Sequence, residues 1–391
     1  MSRIGRLLTP LCLALAMAAH PAAAASQQPT FRGGVDVIAV DVQVVDRDGF
    51  PVADLTPDKF QVTVDGRPRQ VTSAVLVGAA VRRETAGGTR TGSARVPPPQ
   101  PAAPGTALQE MPPIVLAFDC LSFPPAAEVR VVQLARDFVS RLDPDRRVGL
   151  LAYPIGPKVD PTVDHVMVAD AIGQIRGQKA PTQLLPSQIV DGSTLPCPLC
   201  LPLRDPFTQA QELEAQGRVQ LGILEELMRN LGAVKGRKVV VLISAGMVVA
   251  DRIGFRPDLG EYGMRVGKVA AEANVTVYSL FIDRNLFTRM SAERRDAPPR
   301  DQPIFRDGNI LGRMVDQVSG ASGGEMFRSL TDDGAYAFDR LLRETSAYYL
   351  LGVEIADRDR DGKTHELKVK VDAPRATVRG RAWVVVPKPR P

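Results

Sequence analysis

Ile114-Val115-Leu116-Ala117-Phe118-Asp119 is a run of five apolar residues closed by an acid. A strand with one wet face alternates polar and apolar residues, whereas an unbroken apolar run belongs to a strand covered on both faces, as in a parallel sheet. The pattern recurs at 148–153, 239–243 and 275–282, and 324–327 reads as a further short strand. Helical stretches are read between these runs. Val131, Ala135, Phe138 and Leu142 share one face over 128–142, and Leu221, Leu224, Met228 and Leu231 share another. Thr208 and Gln211 fit a capping box at the start of that second helix, and Gly232 ends it. Further helices are expected over 259–273, 310–318 and 336–345. Strands alternating with helices predict an α/β domain over 113–345, with a doubly wound, mostly parallel sheet of Rossmann type.

The flanks read as β structure. Ile38, Val40, Val42 and Val44 alternate, Asp65-Gly66 is a hairpin turn between two further strands, and the whole forms an N-terminal β module over 30–79. Residues 80–112 are rich in Pro, Gly and Ala without periodicity and read as a linker. Strands are expected again at 348–355, 365–371 and 378–386, within a C-terminal segment 346–387. A lone three-stranded sheet buries little, so the N- and C-terminal strands are expected to build one flanking β-sandwich. Residues 154–207 read as a long loop with a helical turn near 168–175.

At the start of the chain, Arg3 and Arg6 precede an apolar stretch over 7–19, and Ala22-Ala23-Ala24-Ala25 supplies a small-residue cleavage site. This is the pattern of a signal peptide over 1–25, which predicts an extracytoplasmic protein, periplasmic or secreted. No later apolar run reaches the 18 or so residues of a membrane span. The chain carries 49 basic and 44 acidic side chains, and no dense Lys/Arg block interleaved with aromatics points to nucleic acid. In an oxidising compartment Cys197 and Cys200 could close a small disulfide loop, while Cys120, at the end of a strand, reads as a small buried hydrophobe.

In this order, the segments resemble von Willebrand factor type A (VWA) domains, and in particular the exported bacterial VWFA-related proteins. The matching pieces are the 114–119 strand with its terminal acid, Lys238 to Gly246, Asn274 to Leu280, and Ser322-Gly323-Gly324-Glu325-Met326-Phe327. Leu55-Thr56-Pro57-Asp58-Lys59-Phe60 and Ser346-Ala347-Tyr348-Tyr349-Leu350-Leu351-Gly352 match the flanks. The resemblance implies a domain that binds a protein ligand through a divalent ion at the strand ends, the metal-ion-dependent adhesion site. The family's first loop reads Asp-x-Ser-x-Ser. This chain has Asp119-Cys120-Leu121-Ser122-Phe123, and Ser244-Ala245-Gly246 where an Asp usually precedes the Gly. Asp119, Ser122, Ser244 and Gly246 are therefore expected to form a degenerate ligand-binding site, with Thr162 or Thr182 as its threonine. One carboxylate offsets little of the cost of dehydrating Mg²⁺, so no cofactor and no tightly held divalent cation are expected.

Asp357, Asp359 and Asp361 before Gly362 match the first half of a calcium loop, but Lys368 stands where the bidentate Glu is needed, and a hairpin turn is the stronger reading. Gly320-Ala321-Ser322-Gly323-Gly324 fits G-x-S-x-G with helix and strand in the wrong order for a nucleophile elbow. Past the leader only His165 and His365 remain as imidazoles. The expectation is an exported, non-enzymatic binding protein with a protein partner. The alternatives are an envelope scaffold that does not use the strand ends and, third, a hydrolase pairing His165 and Asp164 with a serine such as Ser322.

Overall fold

The computed structural model describes residues 37–78, 111–180, 206–250, 256–284, 301–330 and 334–388. The leader, most of the linker, Thr182, Cys197 and Cys200 lie outside the described residues. The first strands are β1 (Val37–Val45), β2 (Phe60–Val64), β3 (Arg67–Arg69) and β4 (Val71–Gly78). The α/β part begins with β5 (Ile114–Asp119), α1 (Val129–Ser140), β6 (Val148–Tyr153), β7 (Lys158–Thr162), α2 (His165–Gly173) and α3 (Pro206–Gly232). It continues with β8 (Lys238–Ser244), α4 (Tyr262–Glu272), β9 (Val275–Ile282), α5 (Asp301–Ser322), β10 (Met326–Ser329) and α6 (Ala335–Glu344). The closing strands are β11 (Ala347–Glu354), β12 (Thr364–Val371), β13 (Thr377–Gly380) and β14 (Trp383–Val385).

The six-stranded sheet has the order β10-β9-β8-β5-β6-β7, and every neighbouring pair is parallel except β6 with β7. Counted within this part of the chain, that is the doubly wound order 3-2-1-4-5-6, which reverses between β5 and β8. The two faces explain the apolar runs. Ile114, Leu116 and Phe118 pack with Val131 and Phe138 of α1, Ile172 of α2 and Phe338 of α6. Their neighbours Val115 and Ala117 pack on the other side with Leu221 and Leu224 of α3, Val266 of α4 and Val315 of α5. Every residue of β5, β8 and β9 is buried, as a doubly covered strand requires.

The structure corrects several sequence expectations. Residues 154–207 are not simply a loop: Lys158–Thr162 forms an antiparallel edge strand and His165–Gly173 a helix capped by Asp164, whose carboxylate accepts from Met167 N at 2.9 Å. The strand is polar and carries Pro161, which an edge tolerates, so it has no apolar run to betray it. Helix α3 starts at Pro206, so Thr208 lies within the helix and does not cap it. Helix α5 extends well beyond 310–318, because Gly308, Gly312 and Gly320 interrupt its apolar pattern without breaking it. The strand expected over 378–386 is two, since β13 pairs with β1 and β14 with β12, and the chain crosses from one sheet to the other between them.

The remaining strands form two four-stranded sheets, β13-β1-β11-β4 and β14-β12-β2-β3, each mixing N- and C-terminal strands. Val40, Val42 and Leu351 from one and Phe60, Val62 and Leu367 from the other join one apolar cluster. Asp65 and Gly66 both take positive φ, 48° and 72°, as the two-residue turn between β2 and β3 demands. These strands meet the amino ends of the parallel sheet through a polar seam. Arg237 donates to Gln43 Oε1 at 2.9 Å, Asn274 to Asp41 Oδ2 at 2.7 Å, and Thr364 Oγ1 to Glu272 Oε1 at 2.8 Å. Gly323, with φ of 83°, lies so close to the carbonyl of Gly380 that a Cβ would sit 2.0 Å from its oxygen.

Candidate functional site at the strand ends

Strands β5 and β8 are neighbours at the reversal of strand order, where open α/β sheets leave a crevice beyond the carboxyl ends. Asp119 ends β5 and Ser244 ends β8. A single turn of 3-10 helix over Cys120–Ser122 folds the chain back over Asp119. There Ser122 Oγ donates to the Asp119 carbonyl at 2.7 Å and accepts from Ala245 N at 2.8 Å, joining the two strand ends. Ser244 Oγ donates to Asp119 Oδ2 at 2.8 Å and accepts from Gly246 N at 3.0 Å. Gly246 has φ of 93°, and a Cβ there would stand 2.7 Å from the carbonyl of Leu311, so the turn is built for glycine. The four residues expected at this rim are thus brought together.

A fifth completes the arrangement. Gln220 of α3 donates through Nε2 to Asp119 Oδ1 at 2.7 Å. With both oxygens hydrogen-bonded, Asp119 is 0% exposed. Desolvation raises its carboxyl to about 6, against the opposing pull of Gln220, Ser244 and Ser122. Burial also pushes the neighbouring Cys120 thiol up to about 12, with the Asp119 charge adding to it, so this cysteine is a weak nucleophile. Lys179 is depressed by desolvation, and the Asp119 charge opposes that shift.

The space left above this network is small. A recess of about 20 Å³ is lined by Ser122, Lys179, Gly217, Gln220, Gly246 and Met247. That holds about one water. A Mg²⁺ site needs six oxygens in near-octahedral array and charge to offset dehydration. Here one carboxylate faces two hydroxyls and an amide that presents its NH₂ to it, so the donor set does not fit the ion. Among the described residues no group of three or more His, Cys, Asp or Glu could hold a metal.

The other candidates stand apart. Thr162 pairs with Val148 at the amino end of β6, whereas Asp119 pairs with Tyr153 at its carboxyl end, so Thr162 is remote from the rim. Asp359 is ion-paired with Arg69, whose Nε donates to Oδ2 at 3.1 Å, while Asp361 accepts from Lys363 N at 2.8 Å and meets His365 Nε2 at 3.0 Å. Asp357 opens the 3-10 turn Asp357–Asp359. The calcium-loop acids therefore serve separate partners around a turn. His365 Nδ1 also meets Asp65 Oδ2 at 2.7 Å, and that hydrogen bond leads the causes that raise its pKa. Ser322 Oγ donates to Ser319 O at 2.8 Å and accepts from Val277 N at 2.9 Å, at the turn from α5 toward β10. His165 Nε2 lies 2.6 Å from Arg146 O beside β6, which two strands, β5 and β8, separate from β9 in the sheet.

Sequence reading missed Gln220. Its signal was a polar residue inside the apolar stripe of α3, adjacent to Leu221 and one turn before Leu224.

No family model matches the chain, and no curated protein matches it. Among solved structures it is similar to an aerotolerance-related membrane protein from Bacteroides fragilis carrying multiple mutations to serines. That match has 12% identity and a TM-score of 0.32, over 60% of this chain and 99% of that one. It is also similar to the human COPII-coat protein Sec24c at 8% identity and a TM-score of 0.31, over 71% of this chain and 44% of that one. The fold assignment rests on the strand order and register above and not on these scores. No helix among the described residues is long and apolar enough to cross a membrane.

Proposed function

We propose that this chain is an exported, non-catalytic protein-interaction module of VWA-like type, whose strand-end site is held closed by neutral side chains and works without a metal ion. The observation that carries this reading is the Asp119 carboxylate. At the position where such a sheet presents its ligand, it is wholly buried and engaged by Gln220 and Ser244. On this reading Ser122, Ser244 and Gly246 brace the rim from beneath, and a protein partner is met by the loops around it and not by Asp119 itself. The two four-stranded sheets are read as one sandwich that seals the opposite end of the domain, supported by their shared apolar cluster. Export is supported by the leader pattern over 1–25.

Calorimetric titration of the mature chain with Mg²⁺ or Mn²⁺ tests the closed site. No saturable heat is expected, and one equivalent bound with micromolar affinity and lost in Asp119→Ala would overturn it. Crosslinking and mass spectrometry on the envelope fraction, with and without chelator, tests the interaction role. The same partner is expected in both, and a partner released by chelator would restore a metal-dependent adhesion site. Amino-terminal sequencing of the exported chain is expected to begin at Ala25 or Ser26.

A further inference from the structure

An open groove beside the rim, where α1 begins and α2 ends, is dominated by one sign of charge. Its volume is about 820 Å³, and Arg130, Arg136, Arg176 and Arg284 line it against a single acid, Glu128. Glu128 is 2% exposed, and its carboxylate lies beneath Gly177, where a Cβ would stand 2.8 Å from Oε2. The acid belongs to the floor, and the surface offered to solvent is cationic.

The backbone holds two of these arginines in place. Arg176 is exposed, and its Nη1 donates to Gly173 O at 2.9 Å and to Ile175 O at 2.6 Å, carbonyls at the end of α2. Arg284, just past β9, donates through Nη1 to Ala127 O at 2.8 Å. The acceptors are neutral carbonyls, so these bonds orient the guanidinia without offsetting their charge. Arg136 stands 3.9 Å from Asp170 with both side chains exposed, a pairing that contributes little. Among the described residues no carboxylate lies within ion-pair distance of Arg130 or Arg176.

The spacing selects the form of the complement. Arg130 and Arg136 are six positions apart on α1, ~9 Å along its axis, and Arg176 and Arg284 come from two other segments. A single small anion meets one or two of them, whereas carboxylates strung along a chain meet several. The lining also holds Val129, which is 62% exposed, and has no aromatic side chain on which a nucleic-acid base could stack. Two segments outside the described residues, 181–205 and 285–300, are not complementary in charge. The first has Asp191 and Asp205 beside Arg204, and the second has Glu293 and Asp296 among four arginines.

We propose that this groove docks an extended acidic segment of a protein partner, whose carboxylates pair with Arg130, Arg136 and Arg176 and whose apolar side chain rests on Val129. The guanidinium fork suits such carboxylates, and opposite fields steer the encounter. This partner chemistry rests on the interaction role proposed above and puts the contact beside Asp119, not on it.

A fluorescent decaglutamate peptide is the probe, with decaglutamine and single-stranded decathymidylate as comparisons, in anisotropy titrations of the full mature chain at low salt. Decaglutamate is expected to bind at least about tenfold tighter than either comparison, and to weaken as salt rises. Arg130→Glu/Arg176→Glu is expected to weaken it at least about tenfold, while Lys368→Glu/Lys370→Glu, the same charge change at exposed positions of β12, leaves it within about twofold. Because Arg176 also holds the end of α2, Arg130→Glu alone serves as a second variant. An acid suits the first turn of α1, and a loss of about threefold or more is expected with the fold intact by circular dichroism. No decaglutamate binding, decathymidylate binding as tightly, or equal losses in the groove and β12 variants would each overturn the proposal. An envelope partner still crosslinked under any of those results would leave the interaction role standing, and groove-dependent peptide binding without any envelope partner would count against that role alone.

Discussion

The two ends of the parallel sheet bury carboxylates in opposite ways. At the base, Glu344 is fully buried between two arginines: Arg340 donates to Oε1 and Arg379 to Oε2, each at 2.9 Å. At the rim, Asp119 is just as buried but meets neutral donors, the Gln220 amide and the hydroxyls of Ser244 and Ser122. A buried carboxylate held between two arginines ties together the elements that carry them, here α6 and β13. One held by neutral donors is easily protonated and links only the turns around it. The base therefore works as a fastener and the rim as a plug.

Substitutions can break this contrast, and the largest effect belongs to the base. Glu344→Ala leaves Arg379 and Arg340 without their buried counter-charge, and urea denaturation is expected to show a loss of ~3–5 kcal/mol. At the rim, Asp119→Asn removes a charge the site has to desolvate, with the Gln220 amide free to turn its oxygen toward the new NH₂. Chemical denaturation at neutral pH is expected to show a gain of up to ~3 kcal/mol, where the same change at a metal site or an ion pair would lose stability. Ser244→Ala strips Asp119 Oδ2 and Gly246 N of a shared partner and is expected to cost ~1–3 kcal/mol in the same assay.

The smallest effect comes from His365, whose two nitrogens meet Asp65 in the turn between β2 and β3 and Asp361 in the segment from β11 to β12, which is a crossing between two sheets and not the hairpin expected there. Its folded pKa lies above the ordinary value of 6.5, so its contribution is complete below that pH and fades as pH rises through the folded value. His365→Gln is expected to flatten this part of the stability profile.

Much of the fold was legible because burial on both faces leaves apolar runs such as 114–118 and 239–243, which no other arrangement needs. Asp119 and Ser244 stand where those runs stop, and it was the resemblance to VWA domains that implied a site there. What escaped was structure without an apolar signature. The edge strand Lys158–Thr162 gains its place through backbone pairing to β6, and its side chains say little. Gln220 escaped because a sequence shows a polar residue but not whether folding encloses it. The break between β13 and β14 escaped because either half alone alternates well enough to continue the other.

Whether Asp119 is a closed, metal-free plug can be read from the stability of the wild-type chain against pH, with and without millimolar Mg²⁺, beside Asp119→Asn. Because folding raises this carboxyl from its ordinary value of 3.8 to about 6, the wild-type chain should lose stability relative to the Asn variant as pH rises between those values, identically in both ionic conditions. A wild-type chain that Mg²⁺ stabilises saturably above that range, with the effect absent in Asp119→Asn, would contradict it.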